Sequence, residues 1–304
     1  MTTPRYENVL RELAEKDERI VVMTAENRAA IRNLPPVLGK RFIDVGICEQ
    51  TMIGVAAGLA LRGRRPVAHA LATFITLRAY EFIRDDLGIP NLPGVLVGGV
   101  PGFLSDANGP THQAIDDVAL MRTIPNVRVV CPADEHELAE ALPVLIQEGA
   151  PVYVRHIPLM PAFERKKTFA YGQGEVIEDG DEIGILSYGL CARESVAAAK
   201  ILKSQGRSVR VVHLPSLKPL DETLVIETLS KCRVTFTIED HLLSGGLFSI
   251  VAELMAKKNK MAKVVPFALE ERWFLPTLLK DVLEHEGFTG EKLAQRISRA
   301  AEAS

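Results

Sequence analysis

Short apolar runs alternate with longer stretches in which apolar residues recur every three or four positions, from one end of the chain to the other. The first such stretch, 4–17, places Tyr6, Val9, Leu10 and Leu13 on one helical face. A β-branched run at 19–24 predicts a buried strand, and the polar, proline-containing 25–40 a loop with a short helix. Strands follow at 42–47, 65–74, 94–100, 127–132 and 152–155, separated by helical patterns at 52–61, 77–87, 114–122 and 134–147. Strand and helix taking turns in this way indicate βαβ connections and a mostly parallel sheet. The alternation then lapses. Residues 161–181 mix proline, glycine and charge and are expected to link two units, 1–160 and 182–304. The second unit repeats the pattern, with strands at 182–187, 209–213 and 234–238, helices at 191–204, 221–230 and 246–256, and an amphipathic helical tail over 273–304. The predicted fold is α/β, with two doubly wound domains.

Composition narrows the function classes. The chain has 304 residues, 47% hydrophobic and 25% charged, which suits a soluble protein with two sizeable cores. A net charge of −3 gives no basic surface for nucleic acid or for anionic lipid. No apolar run approaches the roughly 20 residues of a membrane span, and the first residues lack the layout of a signal peptide. Cys48, Cys131, Cys191 and Cys232 are too scattered for a metal pair or a disulfide framework, so a reducing cytoplasm is the expected setting and no metal ligand set is predicted.

The stretch 41–60 carries the first candidate chemistry. Glu49 stands between the apolar run 42–47 and a helix rich in Gly and Ala, at the carboxyl end of a predicted strand, where α/β folds place ligand sites. An ordinary first-turn acid facing the helix macrodipole satisfies the same position. A second candidate is the long polar loop 103–113, which contains Asn108 and His112; long loops inside compact domains are commonly functional. A loop histidine capping the next helix is the plainer account of His112.

Several separated segments resemble one family in order and spacing. Asp-Val-Gly-Ile-Cys-Glu-Gln (44–50), Ala-Thr-Phe (72–74), Asn-Gly-Pro-Thr-His-Gln (108–113), Ile-Pro-Asn-Val (124–127) and Cys-Pro-Ala-Asp (131–134) resemble the pyrimidine-binding domain of transketolases. Thr-Ile-Glu-Asp-His-Leu-Leu-Ser-Gly-Gly-Leu (237–247) resembles the transketolase C-terminal domain. The resemblance covers essentially the whole chain and implies the C-terminal half of a transketolase. Family members bind the diphosphate and Mg²⁺ of thiamine diphosphate through a Gly-Asp-Gly…Asn motif in another domain. Asp179-Gly-Asp181 only echoes it, without a strand before it or a helix after it. The resemblance therefore implies a split enzyme, in which an α-type subunit supplies the diphosphate-binding domain and Mg²⁺ site, and this chain self-associates as a dimer within an α2β2 assembly.

By the same resemblance Glu49 is the carboxylic acid that bonds the pyrimidine ring nitrogen, Phe74 packs on that ring, and Tyr80 lies nearby unless it is an ordinary core residue. His112 matches the histidine that bonds the donor, and Asn108 a donor-hydroxyl contact. Arg155 matches a sugar-phosphate contact, its alternative being an ion pair, with Arg5 as a second. The implied reaction moves a two-carbon glycolaldehyde unit from a ketose, phosphorylated by expectation, to an aldehyde. Asn108 stands where transketolases usually carry Asp, Val100 where many carry His, and Leu77 where an aromatic is usual, so the standard substrates are in doubt. A non-phosphorylated ketose, a 2-oxoacid dehydrogenase β subunit, a deoxyxylulose-phosphate synthase and a catalytically silent partner subunit remain as alternatives.

Overall fold

In the computed structural model, which describes residues 5–302, two sheets organise the chain. The first six strands are β1 (Ile20–Thr24), β2 (Phe42–Asp44), β3 (Arg65–Leu71), β4 (Gly94–Gly99), β5 (Arg128–Val130) and β6 (Pro151–His156). They pair in parallel, and β1, β4 and β6 are buried along their whole length. Helices cover both faces, which is why these strands read as continuous apolar runs rather than alternating ones. Tyr6–Lys16 and Glu135–Gln147 pack on one face, where Val22, Val67, Val97 and Val154 meet Leu10, Leu138 and Leu142. Glu49–Leu61 and Asp117–Thr123 pack on the other.

The second half contributes β7 (Glu175–Glu178), β8 (Ile183–Ser187), β9 (Val209–His213), β10 (Ser216–Lys218), β11 (Val234–Leu242) and β12 (Val264–Leu269). Five of these form a second sheet in the order β12-β11-β8-β9-β7, parallel except for β7. The sixth, β10, leaves it. It pairs antiparallel with β5 and completes the edge of the first sheet, whose full order is β10-β5-β6-β4-β3-β1-β2. A single apolar cluster also runs from Met52 and Ala56 in the first half to Tyr188 and Leu214 in the second.

Local differences from the sequence expectations have physical reasons. The strand expected over 42–47 stops at Asp44, because Asp44 turns the chain by accepting from the N–H groups of Gly46 and Glu26, each at 3.0 Å. Gly46 takes φ +72, a conformation cheap only without a Cβ. The helix expected over 77–87 is two segments of wide helical turns, Phe74–Arg78 and Ile83–Gly88, around a single regular turn at Tyr80–Phe82. Such wide turns are frequent at functional sites. Within 161–181, Glu175–Glu178 form β7 rather than loop. The tail carries two helices, Leu279–Glu286 and Gly290–Glu302, and Gly287 ends the first at φ +75. Among the described residues no helix is long and apolar enough to cross a membrane.

Candidate active site

The carboxyl ends of β1, β2 and β3 open onto a cleft of about 420 Å³ lined by Ala25, Asn27, Ile47, Glu49, Leu71 and Phe74. Glu49 begins the helix Glu49–Leu61, and its side chain is 2% exposed. Arg78 Nη1 donates to Glu49 Oε2 at 2.7 Å. The same guanidinium lies over the Phe74 ring, 4.3 Å from its centre. His112 meets that ring edge-on, with centroids 5.0 Å apart and planes at 67°. The structure thus brings Glu49, Phe74 and His112 together, although 63 residues of sequence separate the first from the last. The wall they form is part apolar, part hydrogen-bonding, with one buried carboxylate. It suits a flat heteroaromatic ring carrying a nitrogen.

Arg78 belongs to this constellation and was not singled out from sequence. The available signal was its spacing: four residues after Phe74 in a helical stretch, it shares a face with that ring.

The loop holding His112 is folded in short 3₁₀ turns over Gly102–Asn108 and Pro110–His112. Thr111 Oγ1 and His112 Nδ1 are 2.9 Å apart. Asn108 is exposed, and its amide nitrogen donates to Ser105 O at 2.9 Å, which leaves its carbonyl oxygen to accept from a hydroxyl. Gln113, beside His112, is buried and donates to Phe274 O at 2.8 Å.

Arg155 corrects an expectation. Its side chain is 0% exposed and is fully engaged: Nε and Nη2 donate to Asp117 at 2.8 and 2.6 Å, and Nη1 to Asp240 Oδ1 at 2.6 Å. A guanidinium buried at 0% exposure and paired with two carboxylates is shut off from a sugar phosphate, which matches the ion-pair alternative. Burial opposes charge on Asp117, but Arg155 more than offsets it and holds that carboxyl below the usual range. Asp240 goes the other way, since burial outweighs Arg155 and pushes it up. Tyr153 adds a hydrogen bond to Asp117 at 2.5 Å. This cluster ties β6 to β11 beneath the loop. Gly102, at φ +56, lies so close to Asp240 that a Cβ there would overlap its carboxylate.

Tyr80 does not line the cleft. It packs on the core, and its hydroxyl lies 2.9 Å from Thr123 Oγ1. Leu77 is 48% exposed, and Val100 takes φ +48, which is strained for a β-branched residue.

Arg5 is exposed and lies on a second cavity, of about 760 Å³, with Glu7, Asn33, Glu135 and His156 among its walls. Behind it, the rings of Tyr6, His69 and His156 form a buried triangle with centroids 5.1–5.8 Å apart. Among the described residues Tyr6 Oη, both His69 nitrogens and His156 Nε2 have no hydrogen-bond partner. Burial lowers the His69 imidazole to about 4, and burial with His69 alongside lowers His156 to about 3, so both rings are neutral. Sequence reasoning passed over these rings; His156 could have been noticed next to Arg155 at the end of a predicted strand. Among the described residues no cluster of three or more His, Cys, Asp or Glu side chains could hold a metal ion.

Comparison with known proteins matches residues 1–157 to the transketolase pyrimidine-binding domain and residues 172–293 to the transketolase C-terminal domain. The chain is 31% identical to a putative transketolase C-terminal section from Methanocaldococcus jannaschii, over 96% of this chain and 93% of that protein. It is 33% identical to a 6-deoxy-6-sulfo-D-fructose transketolase subunit from a Clostridium species, over 83% and 80% respectively. It is also 33% identical to the 1-deoxy-D-xylulose-5-phosphate synthase of Caldanaerobacter subterraneus, where it spans 96% of its own length but only 47% of the relative. Among solved structures, one described as a split gene transketolase, inactive beta4 tetramer, superposes with a TM-score of 0.87 at 31% identity, covering 98% of this chain and 97% of that one.

Proposed function

The chain belongs to the transketolase family and corresponds to its C-terminal half, and from that premise we propose that it is the catalytic β-type subunit of a split, thiamine-diphosphate-dependent transketolase. The carrying observation is that Glu49 and Phe74 line one cleft while His112 packs edge-on against the Phe74 ring. Membership in the family implies dependence on thiamine diphosphate. The cleft fits its aminopyrimidine: a buried carboxyl for a ring nitrogen at Glu49 and an aromatic face at Phe74. Bound there, the cofactor supplies a carbon nucleophile for cleaving the bond beside a ketose carbonyl.

The chain's own residues orient and tune that chemistry. Glu49 hydrogen-bonds the pyrimidine nitrogen, and the side chain of Arg78 turns away from it to admit the ring. Phe74 fixes the plane of the ring. His112, beside Phe74, donates to an oxygen of the donor sugar and holds the two-carbon glycolaldehyde unit until an aldehyde accepts it. The carbonyl of Asn108 accepts from a donor hydroxyl, and Arg5 donates to an oxygen at the far end of the substrate.

The diphosphate and its Mg²⁺ are assigned to a partner subunit carrying Gly-Asp-Gly…Asn, in an α2β2 assembly. The relative named as a C-terminal section and the split-gene neighbour of matching length support that division. Within the chain, 1–160 is proposed as the pyrimidine-binding unit and 182–304 as the C-terminal unit.

Binding of thiamine diphosphate and Mg²⁺ to the chain alone and to the chain with such a partner tests the proposal. Tight binding only by the pair, with glycolaldehyde transfer abolished by Glu49→Ala, is the expected result. Tight binding by this chain alone would sink the split site. Decarboxylation of a 2-oxoacid in place of ketose cleavage would reassign the enzyme to the dehydrogenase or synthase branch.

A further inference from the structure

The two cavities lie on either side of the segment 25–30. Ala25 and Asn27 line the cleft that holds Glu49, and Ala29 and Ala30 line the larger cavity beyond. A Cβ placed on Gly99 would lie 3.5 Å from His69 Cε1 and 3.7 Å from Asn27 Nδ2, so the cleft-lining amide and the His69 ring both approach the end of β4. One strand over, His156 sits in register with Gly99 and reaches the wall of the second cavity.

The chemistry of that second cavity is unlike a phosphate site. Of the charged residues on its walls, Arg5 is a cation while Glu7 and Glu135 are acids. Among the described residues neither acid forms an ion pair: Glu7 accepts from the backbone and side-chain nitrogens of Asn33 at 2.6 and 2.8 Å, and Glu135 from the backbone of Tyr6 at 3.3 Å. Arg155, whose fork would suit a dianion, is held by Asp117 and Asp240. The imidazoles are neutral, and each neutral imidazole offers one donor and one acceptor, the complement of a hydroxyl. His156 is 3% exposed, yet its Nε2 has no partner among the described residues, and a buried polar atom left so is costly enough to mark an expected ligand contact.

We infer that this chain recognises the far end of its ketose as an uncharged, hydroxyl-rich terminus, bonded by His156, and not as a phosphate. The inference rests on the transketolase reading and narrows its substrate class. Discrimination comes from both sides: hydroxyls satisfy His156 and the Asn33–Glu7 pair, while a phosphate dianion would face two carboxylates across one guanidinium.

The test uses the assembled pair and compares kcat/KM for one ketose with a free terminal CH₂OH against its terminal phosphate ester. The expected ratio favours the free sugar by about 10-fold or more, and His156→Phe lowers kcat/KM for the free sugar by about 10-fold through KM with kcat retained, the loss of one buried hydrogen bond. His156→Gln, which keeps a donor and an acceptor, restores most of that loss and excludes a folding defect. Preference for the phosphate ester, or a His156→Phe variant with unchanged KM, overturns the inference and leaves the transketolase reading standing. Cleavage of neither ketose, with turnover of a 2-oxoacid instead, overturns both.

Discussion

Arg155 and Asp240 stand 85 residues apart in the chain and share a hydrogen bond of 2.6 Å with both side chains fully buried. Their union joins β6, the last strand of the first unit, to β11 of the second, under the loop that presents His112. Removing one partner of a buried pair leaves an uncompensated charge, which costs about 3–5 kcal/mol. Asp240→Ala is therefore expected to lower stability by about that amount in urea unfolding, even though Arg155 keeps Asp117. Gly102→Ala should be comparably harmful, because the added methyl enters the space of the Asp240 carboxylate at a positive φ.

Arg78 and Glu49 form the second pair to probe, and the chain alone suffices for it. Glu49 is buried while Arg78 is a third exposed, so solvent screens part of their attraction. Arg78→Met is expected to cost about 1 kcal/mol by leaving the Glu49 carboxylate without that donor. Glu49→Gln in the Arg78→Met background should cost less than in the wild type. A double-mutant cycle on thermal or urea unfolding reads the coupling directly, and additive losses would show that the pair contributes nothing.

Activity should part from stability at the same residue. In the assembled enzyme Glu49→Gln is expected to reduce kcat by about 10²–10⁴-fold, the usual range for losing a positioned acid or base. His112→Ala should lower kcat/KM by about 10²-fold while thiamine diphosphate affinity changes little. Cofactor titration alongside steady-state rates distinguishes the two variants.

Glu239 gives a pH signature. Burial holds its carboxyl up at about 8 against an ordinary 4.5, although the N–H groups of Phe248 and Leu247 pull the other way. Between those values the folded chain retains a proton that the unfolded chain has lost. The stabilisation from this group is therefore complete below about 4.5 and is lost as pH rises through about 8. Unfolding free energies measured from pH 5 to 9 should decline for the wild type and decline less for Glu239→Gln. Equal slopes would place the titration elsewhere.

How much of this was legible depended on whether the deciding contact was local. The central parallel strands announced themselves, since Ile20–Thr24 and Gly94–Gly99 are buried on both faces and carry unbroken apolar runs. Glu49 was legible as a carboxylate between a strand and a helix, although the helix expected from 52 begins at Glu49 itself. The edges were not. Pro266 argues against a strand, yet β12 tolerates it because it lies at the edge of its sheet. β10 is three residues long, too short for any periodicity. Arg155 was placed at the end of its strand, but its function as a strut depends on Asp117 and Asp240, which only the fold brings near. Arg78 was missed because Phe74 read as the end of the strand 65–74 and the helix was expected only from 77, so their four-residue spacing did not register as one helical face.

The crossing of β10 into the first sheet bears on how such a protein can be divided. One solved relative is described as a split gene transketolase, but this chain resists a further cut at 161–181. Residues up to 181 alone would leave β5 with an open edge, a template for unwanted pairing with other chains, and would leave Arg155 facing empty space where Asp240 belongs. The remainder would carry β10 with no sheet to join. For this half of the enzyme, then, the smallest heritable and foldable piece is both units together, and a recombination point that respects the protein lies outside them.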